Sequence, residues 1–508
     1  MTHITQSQDA IFRLLADPAT HGGRPVRQID THAAAVFLAG ERALKVKRAV
    51  RFPFLDYSTL ARRQAACATE IEVNQPFAPE IYRGVVAITR ENDGRLTLGG
   101  SGEPVEWAVD MHRFDETCTL DRLADAGGIT LPLADALGAA VAAAHAAAPP
   151  ADAAGWINAL AGFLAQNRAA FAESPGLFPP DAAASLDRAS AAAFDRVAPL
   201  LAERGRQGLI RRGHGDLHLG NIALIDGRPV AFDAIEFDPL IAAGDVLYDL
   251  AFLLMDLVER GFGAAANRVL NRYLAATRRP QDLDALAALP LFLSVRAAIR
   301  AKVTAARLEQ TEAGSRVQIE RTAATYFHLA CRLIAPAPPR LVAVGGLSGT
   351  GKSVLAAALA PELGPAPGAV VLRSDVERKA QCGVSETDAL PPDGYRPEVT
   401  AKVYAALADQ ARRVVAAGHA AVVDAVFADP RERAVIATAA TPFRGLFLAA
   451  SLAVRVARVG ARRGDASDAD AAVAKRQETY DLGDLDWTIV DASGTPADTL
   501  ARAKATLS

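Results

Sequence analysis

Cysteine is scarce and scattered. The 508 residues hold four cysteines, Cys67, Cys118, Cys331 and Cys382, with no Cys-x-x-Cys pair among them. That spacing excludes a zinc ribbon and a disulfide framework and leaves four ordinary reduced thiols. Long apolar runs are missing too. The most apolar stretch, around Ala139–Ala148, is rich in alanine, contains His145 and stops at Pro149-Pro150. It is too short and too weakly apolar to span a bilayer. The first residues, Met-Thr-His-Ile-Thr-Gln, lack the basic start and apolar run of a signal peptide. A cytoplasmic protein with no membrane partner is therefore expected. Nor is there an excess of one charge: 55 basic against 58 acidic residues leave a net charge of −3. Without a bulk positive field, nucleic acid is not an expected partner. No period of roughly 20–50 residues recurs, which excludes solenoids and propellers.

What is present is a long chain, 51% hydrophobic and 22% charged, the composition of a globular protein. Its length calls for more than one domain. The clearest seam is Ile334-Ala-Pro-Ala-Pro-Pro-Arg340, whose prolines cannot continue the helical pattern of Arg321–Leu333. It divides the chain into domains 1–335 and 336–508. In the first, Ala35–Leu38 and Ala43–Lys47 flank a turn at Ala39-Gly-Glu-Arg42 and read as a hairpin. A helix over Ser58–Phe77 follows, then a strand at Arg83–Thr89 and a pair of strands, Arg95–Leu98 and Val105–Met111. From Leu131 onward the pattern is helical, apart from one hairpin at Ile222–Phe232. The second domain alternates strand and helix: Leu341–Val344, Ser353–Ala360, Ala369–Leu372, Glu398–Ala417, Ala420–Val423 and Gly445–Leu448. The fold class expected is an α+β bilobal domain, strand-rich lobe first, followed by an α/β domain with a parallel sheet.

Gly346-Leu-Ser-Gly349-Thr-Gly351-Lys352-Ser353 fits the phosphate-loop pattern, with a strand before it and a helix after it. Its glycines let backbone N–H groups converge on phosphate oxygens. Lys352 neutralises the β- and γ-phosphates, Ser353 holds Mg²⁺, and the helix N-terminus adds its dipole. Asp375, in Arg373-Ser-Asp375, follows the second strand and faces the phosphates, where it takes a hydroxyl proton or holds the metal's water shell. Asp424 ends the third strand and is the candidate metal carboxylate of that site. Arg455, Arg458, Arg462 and Arg463 share one helical segment. At least two of them read as a solvated basic face, and Arg458 and Arg462 are the candidates for a lid over the transferring phosphoryl group. Residues 340–508 resemble the small P-loop kinases grouped with zeta-toxin-like phosphotransferases. The segment is too short for an AAA-type motor. The resemblance implies Asp375 as base, with Lys352 and Ser353 as phosphate and metal ligands.

A second constellation lies upstream. His214-Gly-Asp216-Leu-His-Leu-Gly-Asn221 places an Asp and an Asn five apart. In a kinase-type catalytic loop such an Asp accepts the acceptor's hydroxyl proton and such an Asn binds a metal ion. The Asp226-Gly227 turn closes a tight hairpin that returns Asp233 beside Asn221. These residues, with Gly244-Asp245-Val-Leu-Tyr-Asp249, resemble the aminoglycoside phosphotransferase and choline kinase superfamily over roughly residues 25–330. The resemblance implies a protein-kinase-like fold, Asp216 as base, Asn221 and Asp233 as Mg²⁺ ligands, and Asp245 and Asp249 as structural groups bracing the catalytic loop. It also implies a strand lysine paired with a helix glutamate. Lys45 and Lys47 point to one face of the same strand, and only one need enter the site. Lys45 is favoured, with Glu70 as partner and Glu72 as fallback. No Gly-x-Gly-x-x-Gly precedes Lys45; Thr31-His-Ala-Ala-Ala35 supplies small residues instead. Val105–Phe114 is the expected hinge for the nucleotide base. Arg296 and Arg300 share a helix face and read as solvated or ion-paired surface, with a clamp on a carboxylate or phosphate of the acceptor as the alternative.

The combination resembles bacterial proteins that fuse an aminoglycoside-phosphotransferase-like domain to a P-loop ATP-binding domain. The expected activity is transfer of the ATP γ-phosphoryl group to a hydroxyl of a small molecule, with ATP and Mg²⁺ as cofactors and two sites in one chain. Two rival readings are a kinase joined to a nucleotide-sensing regulator and a non-catalytic ATP-binding scaffold. A scaffold need not keep a base and metal ligands together, as Asp216, Asn221 and Asp233 are kept here.

Overall fold

A computed structural model describes residues 5–52, 55–310, 313–461 and 466–507. The chain divides into two compact units, Met1–Ala165 with Ala198–Asp256, and Gln166–Val197 with Leu257–Ser508. The proline-rich seam thus falls inside the second unit.

The first unit is built on a six-stranded sheet in the order Val26–Asp30, Ala34–Ala39, Arg42–Lys47, Glu103–His112, Tyr82–Arg90, Leu96–Leu98. The expected hairpin is present, with Ala39 opposite Arg42 and Gly40 at positive φ in the turn. Along Arg42–Lys47 the side chains alternate, as strand geometry requires. Leu44 and Val46 join a core with Phe37, Ile88 and Ala108, which sends Lys45 and Lys47 to the other face. The helix Leu60–Asn74, capped by the Thr59 hydroxyl, lies close to Glu103–His112. Leu96–Leu98 and Glu103–His112 do not pair with each other as expected: Tyr82–Arg90 lies between them and bonds to both. The cause is local, because Asn92-Asp93-Gly94 turns the chain straight back onto Tyr82–Arg90, with Gly94 at positive φ. The strand Val26–Asp30 was not expected, nor was the short pair Ile210–Arg212 with Ala243–Asp245.

The second unit carries five parallel strands in the order Val370–Arg373, Ala421–Asp424, Leu341–Gly346, Phe443–Ala449, Thr488–Asp491. Leu341–Gly346 is buried along its whole length, as a central parallel strand covered on both faces should be. Val342 and Val344 pack with Leu355, Leu359, Val422 and Leu446. The helix Lys352–Leu359 follows the first strand, and the fifth strand is additional to those anticipated. The helix Ala313–Leu333 ends at the seam, and the chain runs without regular structure until Leu341. Among the described residues no helix is long and apolar enough to cross a membrane.

Candidate active sites

In the first unit the strand lysine, the helix glutamate and the hairpin aspartate meet. Lys45 Nζ lies 2.8 Å from Glu70 Oε1 and 2.6 Å from Asp233 Oδ1. The hairpin supplies Asp233 because Asp226 and Gly227 both adopt positive φ, the geometry of a tight two-residue turn. Asp233 itself has positive φ, and its N–H donates to the Tyr82 hydroxyl at 3.0 Å. Desolvation pushes the Asp233 carboxyl upward, and the Lys45 ammonium overrides it, holding the group below the ordinary aspartate value. Desolvation likewise opposes the charge on Lys45, and Asp233 and Glu70 outweigh it, so the ammonium stays protonated.

The catalytic-loop pair is also assembled. Asn221 Nδ2 donates to Asp216 Oδ2 and to Asp216 O, both at 3.0 Å. His218 Nε2 lies 3.5 Å from the same carboxylate oxygen. Asp249 accepts from the backbone N–H groups of His214 and Gly215, each at 2.9 Å, and sits 3.1 Å from His145 Nε2. His214 Nε2–H donates to Phe232 O at 2.9 Å, and burial lowers its pKa, keeping the ring neutral. Asp245 pairs with Arg204 through both oxygens, at 2.5 and 2.8 Å, and accepts the Leu247 N–H at a helix start. These contacts hold the loop by its backbone and leave Asp216 half-exposed.

Both strand lysines enter this site. Lys47, almost fully buried, lies 2.5 Å from Glu70 Oε2 and bonds Glu236, which also accepts the Tyr57 hydroxyl at 2.7 Å. The sequence reading passed over Glu236 and Tyr57. A charged residue three after Asp233 inside Ala-Ile-Glu-Phe was the available signal. Arg296 is buried, which overturns the surface reading for that residue, and the half-buried Arg300 stacks on the Tyr326 ring at 5.4 Å.

In the second unit the phosphate loop leaves the central strand. Gly349 has φ +86°, and a Cβ there would stand 2.4 Å from Arg455 O; at Gly346 a Cβ would stand 2.7 Å from Leu448 O. Gly351, also at positive φ, precedes the helix that begins at Lys352. Lys352 Nζ donates to Leu347 O at 3.3 Å. The loop borders a cavity of about 1410 Å³ that Lys352, Ser353, Asp375 and Asp424 line. Arg373 bridges two of these groups: Nη2 donates to Ser353 Oγ at 3.2 Å, and Nε lies 3.3 Å from Asp424 Oδ2. Burial, then the neighbouring Asp424 carboxylate, pushes the Asp375 carboxyl above its ordinary value, with Lys352 and Ser467 opposing.

The arginine helix serves the loop from behind. Arg455 is buried and donates to Ser348 O at 3.0 Å and Ala474 O at 2.9 Å. Arg458 borders the cavity, and its guanidinium donates to Ala492 O, Gly494 O and, at 3.4 Å, Thr350 O. Arg462 and Arg463 lie outside the described residues. Arg373 was not singled out from sequence, although it stands two residues before Asp375.

The donors at both sites are oxygen atoms, the chemistry that Mg²⁺ prefers. Asn221 commits Nδ2 to Asp216, so its amide oxygen is the atom it has for a metal. Ser353 and Asp424 already share the Arg373 cation, which shows that the pair accommodates positive charge. Among the described residues no group of three or more His, Cys, Asp or Glu forms a self-sufficient metal cluster. Mg²⁺ at a nucleotide site needs only one or two protein ligands, because phosphates and water complete its shell. The residues present fit it.

Comparison with known proteins places both halves. Residues 123–289 match the Phosphotransferase enzyme family, and residues 341–480 match an AAA domain. The chain is 30% identical over 469 residues to uncharacterized proteins of Mycobacterium tuberculosis (Rv2004c) and Mycobacterium bovis (Mb2027c), a span of 89% of this chain and 90% of each of theirs. Among solved structures it is similar to a gluconokinase from Sinorhizobium meliloti, at 24% identity, 34% of this chain, 93% of that one and a TM-score of 0.25. It is also similar to a choline/ethanolamine kinase family protein from Mesorhizobium loti, at 13% identity, 63% of this chain, 98% of that one and a TM-score of 0.34. The protein is an ATP-dependent phosphotransferase with a hydroxyl acceptor. It belongs to the family that these mycobacterial relatives represent, and in this chain a phosphotransferase-family domain precedes a P-loop kinase-like domain.

Proposed function

We propose that the chain carries two small-molecule kinase sites, one in each of the segments 1–335 and 336–508, each using ATP with Mg²⁺ in the cytoplasm. The observation that carries this reading is the meeting of Lys45, Glu70 and Asp233 in one unit that also assembles Asp216 and Asn221. At the first site Lys45, steadied by Glu70, binds phosphate oxygens of ATP. Asn221 orients the Asp216 carboxylate, which takes the proton from the acceptor hydroxyl as its oxygen bonds the γ-phosphorus. The β–γ bridging P–O bond breaks and ADP leaves. At the second site the phosphate loop and Lys352 hold the nucleotide, and Asp375, its pKa raised toward working pH, is the base. Asn221 with Asp233, and Ser353 with Asp424, are the residues that would hold Mg²⁺, which when bound neutralises phosphate charge. Lys45, Glu70 and the backbone of Gly346, Gly349 and Gly351 bind nucleotide in this scheme. Arg458 fixes the loop through backbone carbonyls.

Transfer of label from γ-labelled ATP into a fractionated metabolite pool tests the reading, comparing wild type with Asp216→Ala and Lys352→Ala. Two labelled products, each lost in one variant, are expected. Label found only as free phosphate, equally in all three proteins, would overturn it.

A further inference from the structure

Val370–Arg373 is an edge strand, paired on one side with Ala421–Asp424. An edge leaves backbone groups unpaired along its open side. Two asparagines on the helix Gly263–Thr277 take up those groups. Asn271 Oδ1 accepts the Val371 N–H at 2.7 Å, and its Nδ2 donates to Ala369 O at 3.1 Å. Asn267 Nδ2 donates to the same carbonyl at 3.0 Å, and Asn271 Nδ2 also reaches Asn267 Oδ1 at 3.1 Å. Spacing of four puts both amides on one helix face. An amide side chain carries one acceptor and a donor group, so Asn271 offers the strand what a neighbouring peptide unit would. Asn267 and Ala369 are buried. Both partners lie in the second unit, yet the helix belongs to the segment matching the phosphotransferase family and the strand to the segment matching the P-loop domain.

That strand leads directly into the reactive groups. It ends at Arg373, which bridges Ser353 and Asp424, and Asp375 follows two residues later at the cavity. The phosphate loop instead leaves the central strand, Leu341–Gly346. A shift of the edge strand therefore moves Asp375 and Arg373 relative to the loop without moving the loop itself.

We propose that Asn267 and Asn271 are positioning residues for phosphoryl transfer at the P-loop site: a helix from the phosphotransferase segment sets the register of the strand that delivers Asp375. The proposal rests on the reading of Asp375 as the base. The test uses the full chain with Asn271→Leu, and Asn271→Asp, which keeps the acceptor for Val371 N–H and loses the donor to Ala369 O. In Asn271→Leu, kcat of the Lys352-dependent transfer should fall about tenfold, with KM for ATP within about twofold and Asp216-dependent transfer unchanged. Amide exchange at Val371 should accelerate, and Asn271→Asp should recover part of both losses. Unchanged kcat in Asn271→Leu overturns the proposal. So does a parallel loss of kcat, ATP affinity and Asp216-dependent transfer, which is what general destabilisation produces. Should Asn271→Leu not fold, Asn271→Asp is read by the same criteria. If wild type shows no Lys352-dependent transfer, the function reading fails, and Val371 exchange decides the clamp: unchanged protection refutes it and accelerated exchange supports it.

Discussion

Replacing Lys47 with methionine strands negative charge in a place with little water. Lys47 is 2% exposed, and its partners Glu70 and Glu236 are 1% and 8% exposed. Glu70 keeps Lys45, but Glu236 loses its ammonium partner and retains the Tyr57 hydroxyl. Removing one member of a buried ion pair costs about 3–5 kcal/mol, because the other charge is left desolvated. For a folding unit of this size each kcal/mol is worth about 2–4 °C, so a Tm drop of about 6–20 °C is expected at pH 8. The pH dependence separates charge from packing. In the wild type, burial raises the Glu236 pKa and the Lys47 ammonium, with Lys45 and the Tyr57 hydroxyl, more than offsets it, so the folded value lies below the unfolded one. That carboxylate contributes stability above its unfolded pKa and loses it as pH falls through the folded value. In Lys47→Met the largest of these opposing influences is gone while Lys45 and the Tyr57 hydroxyl remain, so the folded pKa rises from its wild-type value. Relative to the wild type, the folded variant binds the proton more tightly and loses less stability as pH falls. The Lys47 contribution itself is fully present below its unfolded pKa and constant between pH 5.5 and 8. Thermal unfolding followed by circular dichroism should therefore show a smaller Tm drop at pH 5.5 than at pH 8. Lys47→Met/Glu236→Gln should recover much of the loss. Equal drops at both pH values, with no recovery in the double variant, would show that Lys47 acts through packing, and the charge argument would be wrong.

Gly349→Ala should abolish MgATP binding at the P-loop site while Asp216-dependent transfer continues, since a Cβ would meet Arg455 O at 2.4 Å in backbone that already has positive φ; retained binding by titration calorimetry in the Lys45→Ala background would refute it. Arg204→Met should destabilise the chain by about 3–5 kcal/mol in denaturant unfolding by leaving the buried Asp245 carboxylate unpaired. Arg204→Met/Asp245→Asn, which keeps an acceptor for the Leu247 N–H, should recover at least half of that loss; additive losses would refute the ion-pair account.

The candidate site residues that lie close together were legible where the pattern is written in short spacing. Asp216 and Asn221 sit five apart on one loop, Asp226-Gly227 dictates a tight hairpin, and the phosphate loop joins a strand to a helix without interruption. What escaped notice depends on partners distant in sequence. Arg458 read as a lid candidate and Arg455 as one of four arginines on a basic segment, yet both donate to backbone carbonyls, which leave no trace in residue type. Asn267 and Asn271 look like solvated helix residues until the edge strand is beside them. The strands Val26–Asp30 and Thr488–Asp491 were missed for a related reason. Four of five residues in the first and three of four in the second are exposed, so neither shows the buried alternation by which a strand is recognised.

The two sites place buried charge behind their reactive loops. Asp249 binds the backbone N–H groups of His214 and Gly215, just before Asp216, and Arg455 binds the phosphate-loop carbonyl of Ser348. Such groups are costly to desolvate, and apolar packing of equal volume would often give as much stability. Their value here is directional. A hydrogen bond to a charged group fixes a backbone atom in both distance and angle, whereas apolar contact tolerates sliding. Phosphoryl transfer asks for little covalent chemistry from the protein and a great deal of placement. Charge spent on backbone atoms of the catalytic loop and the phosphate loop, with asparagine amides spent on the strand that leads to Asp375, is what a chain built for placement would carry.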